Sequence, residues 1–196
     1  MSMKSKNIIL FMPFIGGGGV EKNIFIIANY FSKKSKTLYI RSVSKNYNKK
    51  FNKKIKFINP KTNINNNLNI RLKYLVSLYF LFKFLLKNRN SVVFSFQANV
   101  YCTLLCKLLK VQIIVRSNSS PAGWYHNIVK KFLYGKIIKL ADKVVVNSFE
   151  FKKQMDSMFN LNSCIIYNPF NYKEIVKLSK NKKKENFFQS KKYLKI

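Results

Sequence analysis

The chain has 196 residues, with 38 lysines and arginines against six acidic residues, and a formal net charge of +32 at pH 7. That length suffices for one domain with a hydrophobic core but not for two full ones. The basic residues are nearly all lysine. Because arginine is the usual residue for bidentate phosphate and base contacts, the charge argues against nucleic-acid binding and favours a diffuse attraction to anionic lipid.

Residues 8–21 read IILFMPFIGGGGVE, an apolar run that breaks into glycines and then restarts. The pattern predicts a strand, a tight turn and a helix with one apolar face. Glycine lacks a Cβ and can take positive φ, so the turn can present N–H groups to a phosphate or carboxylate at the positive end of the helix dipole. The spacing is neither that of a dinucleotide fingerprint nor that of a P-loop, and a purely structural turn is the alternative. The glycines are Gly16, Gly17, Gly18 and Gly19.

Two more strands are predicted at residues 37–43 and 55–58, where β-branched and apolar residues are frequent. Polar loops rich in asparagine and lysine are predicted at residues 45–54 and 59–67. Strands therefore alternate with helices from the start of the chain.

Residues 68–86 predict a helix that is apolar around much of its circumference but too short and too charged to span a bilayer comfortably. It either packs only on the sheet or also rests in a membrane interface. In the second case its flanking cations would contact lipid headgroups: Arg71, Lys73, Lys83 and Lys87.

Beyond residue 90, short and nearly continuous apolar runs predict strands that are buried on both faces of a parallel sheet. Helical segments fill the gaps between them. The sequence therefore predicts an α/β fold, a doubly wound and mostly parallel Rossmann-like sheet in a single domain. The predicted strands are 91–96, 112–116, 143–146 and 164–167, and the predicted helices are 100–109, 125–140 and 149–159.

Each of these strands ends in polar residues, and the carboxyl ends of parallel strands lie along one edge of the sheet, where ligands bind. The glycine turn is expected at the same edge. Ser148 also resembles the N-cap of the helix that follows it, so a structural role is the alternative for that residue. The predicted cleft-lining residues are Gln97, Asn99, Arg116, Ser117, Asn118, Asn147, Ser148 and Asn168.

Cysteine chemistry and metal binding are not predicted. The three cysteines are an odd number without disulfide-like spacing, which indicates a reducing compartment and hence the cytoplasm. Cys102 and Cys106 would share a helical face, but no histidine or acidic residue accompanies them, so core packing is favoured over a metal site. The six acidic residues form no recognisable acid/base pair.

With these motifs in place, the chain resembles the N-terminal half of a glycosyltransferase family 4 enzyme. Five segments carry the resemblance, in the order that this family shows, and together they cover about residues 6–172. They read FMPFIGGGGVEKNIFIIANYFSK, SVVFSFQANVY, IIVRSNSSP, ADKVVVNSFEFKKQM and IIYNPFN.

The resemblance implies a GT-B architecture, in which two Rossmann-like domains face a cleft and a sugar moves from a nucleotide-diphosphate donor with retention of configuration. No metal or other cofactor is expected, and the nucleotide sugar is a substrate. The N-terminal domain of such enzymes supplies most of the acceptor site, while the C-terminal domain holds the nucleotide and a Glu-x7-Glu motif.

By the same resemblance, Gly16 to Gly19 would approach the donor diphosphate and the transferred sugar. Arg116 and Asn118 would line the reaction centre and are the candidate catalytic residues. Many family members carry a histidine after the corresponding strand, but residues 116–119 here read RSNS, and the lone histidine, His126, is not assigned a catalytic role.

The resemblance also divides the chain into a Rossmann-like acceptor-side domain at residues 1–176 and a lysine-rich linker with the truncated start of a missing C-terminal domain at residues 177–196. The expected activity is transfer to a saccharide or lipid-linked acceptor in cell-surface glycan biosynthesis, on the cytoplasmic side and peripherally on anionic membrane. The chain alone would be weakly active or inactive, and a separately encoded C-terminal domain is one expected partner. The alternative is a non-catalytic α/β module that binds a membrane or a partner protein.

Overall fold

A computed structural model describes residues 6–16, 18–35, 37–43, 48–58, 69–118 and 128–172, together with residues 175, 176 and 179. Several sequence expectations lie outside the described residues. They concern Gly17, the loop 59–67, His126 and all of the segment 177–196 except residue 179.

The described residues form one seven-stranded parallel sheet with the strand order β3-β2-β1-β4-β5-β6-β7. The strands are β1 Asn7–Phe11, β2 Leu38–Arg41, β3 Lys56–Phe57, β4 Ser91–Ser95, β5 Gln112–Arg116, β6 Lys143–Val146 and β7 Cys164–Ile165. The order reverses between β1 and β4, which are hydrogen-bonded neighbours. Such a reversal opens a crevice beyond the carboxyl ends of the strands, where open α/β sheets bind their ligands.

In the described parts of the connections there are five α-helices, α1 Gly19–Lys34, α2 Ile70–Lys87, α3 Asn99–Leu108, α4 Ile128–Ile138 and α5 Phe149–Phe159, and one short 3-10 helix at Asn48–Lys50. Helix α1 packs on one face of the sheet, and α2 to α5 pack on the other. None of the described helices combines the length and the apolar character that crossing a bilayer requires.

The strands are apolar on both faces because both faces are covered. In β1, Ile8 and Leu10 point to the core under α1, which Ile24 and Ala28 complete. The alternate residue Ile9 points to the larger core on the opposite face. This period of two, with both sides buried, produces the continuous apolar runs from which the strands were predicted.

The prediction of a doubly wound α/β domain is confirmed, and β5, β6 and α5 have the bounds that were predicted for them. Strands β2 and β3 are shorter than predicted. Helix α2 begins after Asn69, whose side chain accepts the N–H of Arg71 at 3.4 Å. Cys102 and Cys106 are buried in the core, as their predicted packing role requires.

A buried arginine holds the carboxyl end of β2 in place. Arg41 is fully buried and donates hydrogen bonds to the carbonyl oxygens of Ser42 at 2.9 Å, Ile58 at 2.8 Å and Ser77 at 3.2 Å. Desolvation lowers the pKa of Arg41 to about 10. These bonds join β2, the residue that follows β3 and the middle of α2, so we assign Arg41 a structural role.

Candidate functional site

An open cleft of about 1010 Å³ lies at the carboxyl edge of the sheet, between the first turns of α1 and the segment that follows β7. Amide side chains dominate its lining: Asn23, Asn29, Asn118, Asn147, Asn168 and Asn171. Two lysines, Lys22 and Lys50, and two aromatic residues, Phe25 and Phe170, also line it, and none of the described lining residues is acidic. Each amide offers both hydrogen-bond donors and an acceptor, which is the combination that sugar hydroxyls require.

Arg116 is the centre of a hydrogen-bond network at this edge. Its side chain is fully buried at the end of β5. Nε donates to Oδ1 of Asn118 at 3.1 Å, and Nη2 donates to Oδ1 of Asn168 at 2.9 Å and to the carbonyl oxygen of Ile166 at 3.1 Å. Asn23 of α1 donates to the same Oδ1 of Asn168 at 2.9 Å. The network therefore connects α1, β5 and the segment after β7 in one rigid group.

Burial lowers the pKa of Arg116, because the protein interior solvates the charged guanidinium less well than water does. Among the described residues, no carboxylate contacts Arg116. Within the described part of the chain, its positive charge is balanced by amide and carbonyl dipoles alone. Such a site favours an anionic or hydroxyl-rich ligand over a cation.

A second set of bonds supports the network from behind. Ser95, at the end of β4, donates to Oδ1 of Asn99 at 2.8 Å, and Asn99 in turn donates to the carbonyl oxygen of Arg116 at 3.0 Å. Asn118 donates to the carbonyl oxygen of Phe96 at 3.2 Å. These contacts fix the neighbouring ends of β4 and β5, so the amides of the cleft are preorganised.

Three buried polar atoms at this edge have no hydrogen-bond partner among the described residues. They are Oε1 of Gln97, Nη1 of Arg116 and Oδ1 of Asn147. Buried polar groups in folded proteins are nearly always paired, and an unpaired one costs about 1–3 kcal/mol. One donor and two acceptors without partners at one edge of the sheet indicate a site that a polar ligand completes.

The glycine turn differs from the expectation in its backbone. None of the described glycines has a positive φ. A Cβ at Gly16 would lie 2.8 Å from the ring of Phe14, and one at Gly18 would lie 2.8 Å from Oε2 of Glu21. Neither position therefore has the left-handed backbone that requires glycine, and a Cβ there would have to displace the side chain of Phe14 or Glu21.

The side-chain carboxylate of Glu21 lies at the glycine turn. Glu21 is buried in the first turn of α1, and its Oε1 accepts the N–H of Gly16 at 3.3 Å. The positive end of the helix dipole favours a carboxylate at this position. A ligand phosphate at the turn would have to displace Glu21 or bind beside it.

Some of the predicted site residues line the cleft, and others lie behind it and hold the lining residues in place. Gly19, Asn118, Asn147 and Asn168 line the cleft. The other two described glycines of the turn, Gly16 and Gly18, are exposed, and Gly17 lies outside the described residues.

The remaining predicted residues are in supporting positions. Gln97 and Asn99 are half-buried beside the end of β4. Ser117 is buried, and its N–H donates to the carbonyl oxygen of Val145 at 2.8 Å. Ser148 accepts the N–H of Phe151 at 3.2 Å and caps α5, which confirms the capping role that was predicted as its alternative.

Sequence reasoning missed three asparagines of the cleft, Asn23, Asn29 and Asn171. Asn23 and Asn29 were not identified because they lie inside a helix with a strong apolar pattern. Asn171 was missed because it lies beyond the last predicted strand. All three line the cleft, and Asn23 is buried there. Among the described residues there is no cluster of three or more potential metal ligands.

No protein-family model matches the sequence, and no curated protein is significantly similar to it. Solved structures share its fold. HepE from Anabaena in complex with UDP-glucose superposes with a TM-score of 0.60 at 12% identity, over 89% of this chain and 49% of HepE. The fold is that of a GT-B glycosyltransferase domain.

Two plant proteins share the fold of this chain with lower scores. A UGT transferase from Siraitia grosvenorii in complex with UDP has a TM-score of 0.50 at 13% identity, over 79% of this chain and 48% of its own. Phytolacca americana UGT2, complexed with UDP-2-fluoro-glucose and pterostilbene, has a TM-score of 0.51 at 9% identity, over 89% of this chain and 57% of its own. The chain thus spans about half the length of the solved proteins that it matches.

Proposed function

We propose that this chain is the acceptor-side half of a retaining glycosyltransferase that resembles family 4. In this proposal the enzyme moves a sugar from a nucleotide-diphosphate sugar to a saccharide or lipid-linked acceptor during the synthesis of cell-surface glycans. The observation that carries the proposal is the cleft of asparagine side chains with unpartnered polar atoms beside it, at the edge where a parallel sheet binds ligands.

The chemistry of the cleft fits a sugar better than it fits a free nucleotide. Its amides pair with hydroxyl groups, and Phe25 and Phe170 offer apolar surface for the face of a sugar ring. Two lysines at the cleft, Lys22 and Lys50, supply positive charge for a phosphate. We assign the amides to the acceptor and the transferred sugar, and the two lysines to the donor diphosphate, which binds beside the glycine turn that Glu21 occupies.

Catalysis in this proposal depends on positioning and on electrostatic stabilisation of the leaving diphosphate, not on a carboxylate pair of this chain. Arg116 and Asn118 are held rigidly, as stabilisation by preorganised groups requires. The GT-B proteins that share the fold were solved with UDP or with a UDP sugar, which supports a nucleotide sugar as donor.

The proposal requires a second Rossmann-like domain, and the length of the matching proteins, about twice that of this chain, supports it. We propose that it closes over the cleft and binds the nucleotide, either in the same polypeptide or as a separately encoded partner. The acceptor would be reached on the cytoplasmic side of the membrane.

Binding of two probes tests the proposal. Saturation-transfer NMR on the full chain is recorded with octyl β-glucoside as acceptor probe and with UDP-glucose as donor probe. We expect the glycoside to bind and UDP-glucose to bind weakly. Preferential binding of UDP-glucose by the chain alone would contradict the acceptor-side assignment, and rapid transfer between the probes would contradict the need for a second domain.

One variant removes a side-chain amide of the cleft without disturbing the network around Arg116. Oδ1 of Asn147 has no partner among the described residues, so Asn147→Ala breaks no hydrogen bond there and leaves the melting temperature unchanged or higher. Loss of one hydrogen bond to the glycoside weakens its binding by about 2- to 10-fold. Asn162→Ala is the matched control, because Asn162 is exposed before β7 and does not line the cleft.

The second candidate function is a non-catalytic module that binds a partner through this edge. The exposed apolar residues that follow β7, including Tyr167, Phe170 and Tyr172, favour it. If neither the glycoside nor UDP-glucose binds to the wild-type chain or to Asn147→Ala, this alternative replaces the transferase proposal.

A further inference from the structure

Three neighbouring helices expose most of the large apolar side chains that the described residues leave in contact with solvent. Helices α2, α3 and α4 lie side by side on one face of the sheet, with α3 in contact with both of the others. Their exposed apolar residues are Ile70, Leu72, Leu75, Tyr79 and Leu86 on α2, Tyr101, Leu104 and Leu108 on α3, and Ile128, Val129, Phe132 and Leu133 on α4. We call this surface the α2–α4 face. A monomeric soluble protein rarely exposes so extended an apolar surface without a partner.

The charge of the α2–α4 face has a single sign. Between Glu21 and Asp142 the sequence contains no acidic residue. Asp142 itself pairs with Lys107 at 2.8 Å. Each of the three helices carries lysine, and α2 also carries arginine. A partner of this face must therefore be apolar in its interior and negatively charged at its surface.

Aromatic and cationic side chains are arranged on this face as at a membrane interface. The ammonium group of Lys83 lies 5.3 Å from the ring centre of Tyr79 on α2. The same arrangement recurs on α4, where the ammonium of Lys136 lies 5.3 Å from the ring centre of Phe132. Such pairs let the ring enter an apolar layer while the charge stays at the level of the headgroups.

A pocket of about 400 Å³ between α4 and α5 adds a place for one amphiphile. Phe132 and Met158 form part of its apolar lining, and Lys131, Lys136 and Lys139 also line it. A lipid fits this lining, because its acyl chain can contact the apolar residues while its anionic headgroup pairs with the lysines.

From these observations we propose that the α2–α4 face docks on the surface of a bilayer that contains anionic phospholipid. The proposal does not rest on the transferase activity. A second copy of the chain is a poor occupant, because two surfaces of the same positive charge repel each other. Nucleic acid is also a poor occupant, since most of the exposed apolar residues here are aliphatic and do not stack on bases.

Vesicle flotation of the full chain tests the proposal. The probes are phosphatidylcholine vesicles with and without phosphatidylglycerol, at low and at physiological ionic strength. We expect binding only to vesicles with the anionic lipid, and weaker binding as salt rises. Equal binding to both vesicle types, or none to either, would overturn the proposal.

Two matched pairs of variants locate the contact. Lys136→Gln on α4 with Lys139→Gln just beyond its end, both at the pocket beside the α2–α4 face, lowers the vesicle partition coefficient on the order of 30-fold, at about 5-fold for each lysine. Lys33→Gln with Lys34→Gln removes the same charge from the last turn of α1, on the opposite face of the sheet. This control changes partitioning by no more than about twofold, because screening limits the attraction to about 8 Å.

The apolar contribution has its own matched pair. Tyr101 on α3 and Tyr30 on α1 are each 60% exposed, on opposite faces of the sheet. Tyr101→Ser lowers partitioning by about 5-fold through lost apolar burial, and Tyr30→Ser leaves it unchanged. Both variants keep the core intact, and their melting temperatures verify this.

Two results would replace the bilayer with another occupant. If both lysine pairs lower partitioning equally, the attraction is diffuse lysine charge and the face has no special role. If sedimentation without lipid shows a dimer that Tyr101→Ser abolishes, a second copy covers the face. Because flotation requires no sugar transfer, failure of the transferase proposal leaves these outcomes readable.

Discussion

Replacing Asn168 by aspartate gives the buried charge of Arg116 a counter-ion. Oδ1 of Asn168 accepts hydrogen bonds from Nη2 of Arg116 and from Nδ2 of Asn23, each at 2.9 Å. Asn168→Asp keeps both acceptor contacts and adds a negative charge. We therefore expect the variant to be more stable than the wild type at neutral pH.

The size of the gain follows from the burial of the partner. Two unit charges about 4 Å apart interact with roughly 4 kcal/mol at an effective dielectric constant of about 20. Partial desolvation of the new carboxylate offsets much of this, but position 168 is exposed, so the carboxylate stays partly solvated. The expected net gain in the free energy of unfolding is about 1–2 kcal/mol.

The gain depends on pH in a defined direction. The positive charge of Arg116 lowers the pKa of the introduced carboxylate in the folded state below its ordinary value of about 3.9. A carboxylate whose pKa is lowered in the folded state stabilises the fold at pH values above its ordinary pKa. This contribution disappears as the pH falls through the pKa of the folded state. The difference between variant and wild type is therefore present at neutral pH and declines below about pH 4.

Urea unfolding at neutral and acidic pH measures this difference. Asn162→Asp is the control, since it makes the same change in net charge at an exposed position before β7 that has no contact with Arg116. A gain no larger than that of the control would refute the reasoning, because the relief of general charge repulsion would then explain it. A gain that persists fully in acid would also refute it.

Three further substitutions test other contacts, each by urea unfolding. Ser148→Ala removes the cap of α5 and lowers the free energy of unfolding by about 1 kcal/mol, while glycoside binding stays unchanged because Ser148 does not line the cleft. Gly135→Ala places a methyl group 2.7 Å from Cδ1 of Phe159. The variant lowers the free energy of unfolding by about 1 kcal/mol, because the cost of overpacking exceeds the gain in helix propensity. Desolvation raises the pKa of Asp156, but hydrogen bonds from Lys152 and Ser163 outweigh it and hold this pKa below the ordinary value. The stability that the Asp156 carboxylate contributes is therefore lost as pH falls below about 4. Asp156→Asn costs at most about 1 kcal/mol at neutral pH and makes the loss of stability in acid less steep.

Much of the architecture could be read from the amino-acid pattern. The central residues of β5 and β6, Ile113 to Val115 and Val144 to Val146, form continuous apolar runs because both faces of the parallel sheet are covered. The polar residues that end these strands, such as Asn118 and Asn147, were expected at one edge, and both line the cleft. Parallel strands necessarily bring their carboxyl ends together, so this expectation needed no knowledge of individual contacts.

Helix α2 shows where the pattern was insufficient. Its apolar residues surround much of the helix, so the sequence contained no stripe that distinguishes the buried side from the exposed one. Packing against the sheet selects Ser77, Leu81 and Leu85 for the interior and leaves Leu75 and Tyr79 in contact with solvent. The α2–α4 face therefore exists only in the folded molecule.

By itself the sequence determined the class of fold, the order of its elements and the edge at which polar residues collect, because hydrophobic periodicity and strand direction are local properties of the chain. Only the tertiary structure decided which of those residues touch. Asn23 and Asn168 are 145 residues apart and share a hydrogen bond, and Glu21 fills the glycine turn that was expected to receive a ligand anion. Such contacts depend on which strands become neighbours and on how α1 lies against their ends, and no local pattern encodes either.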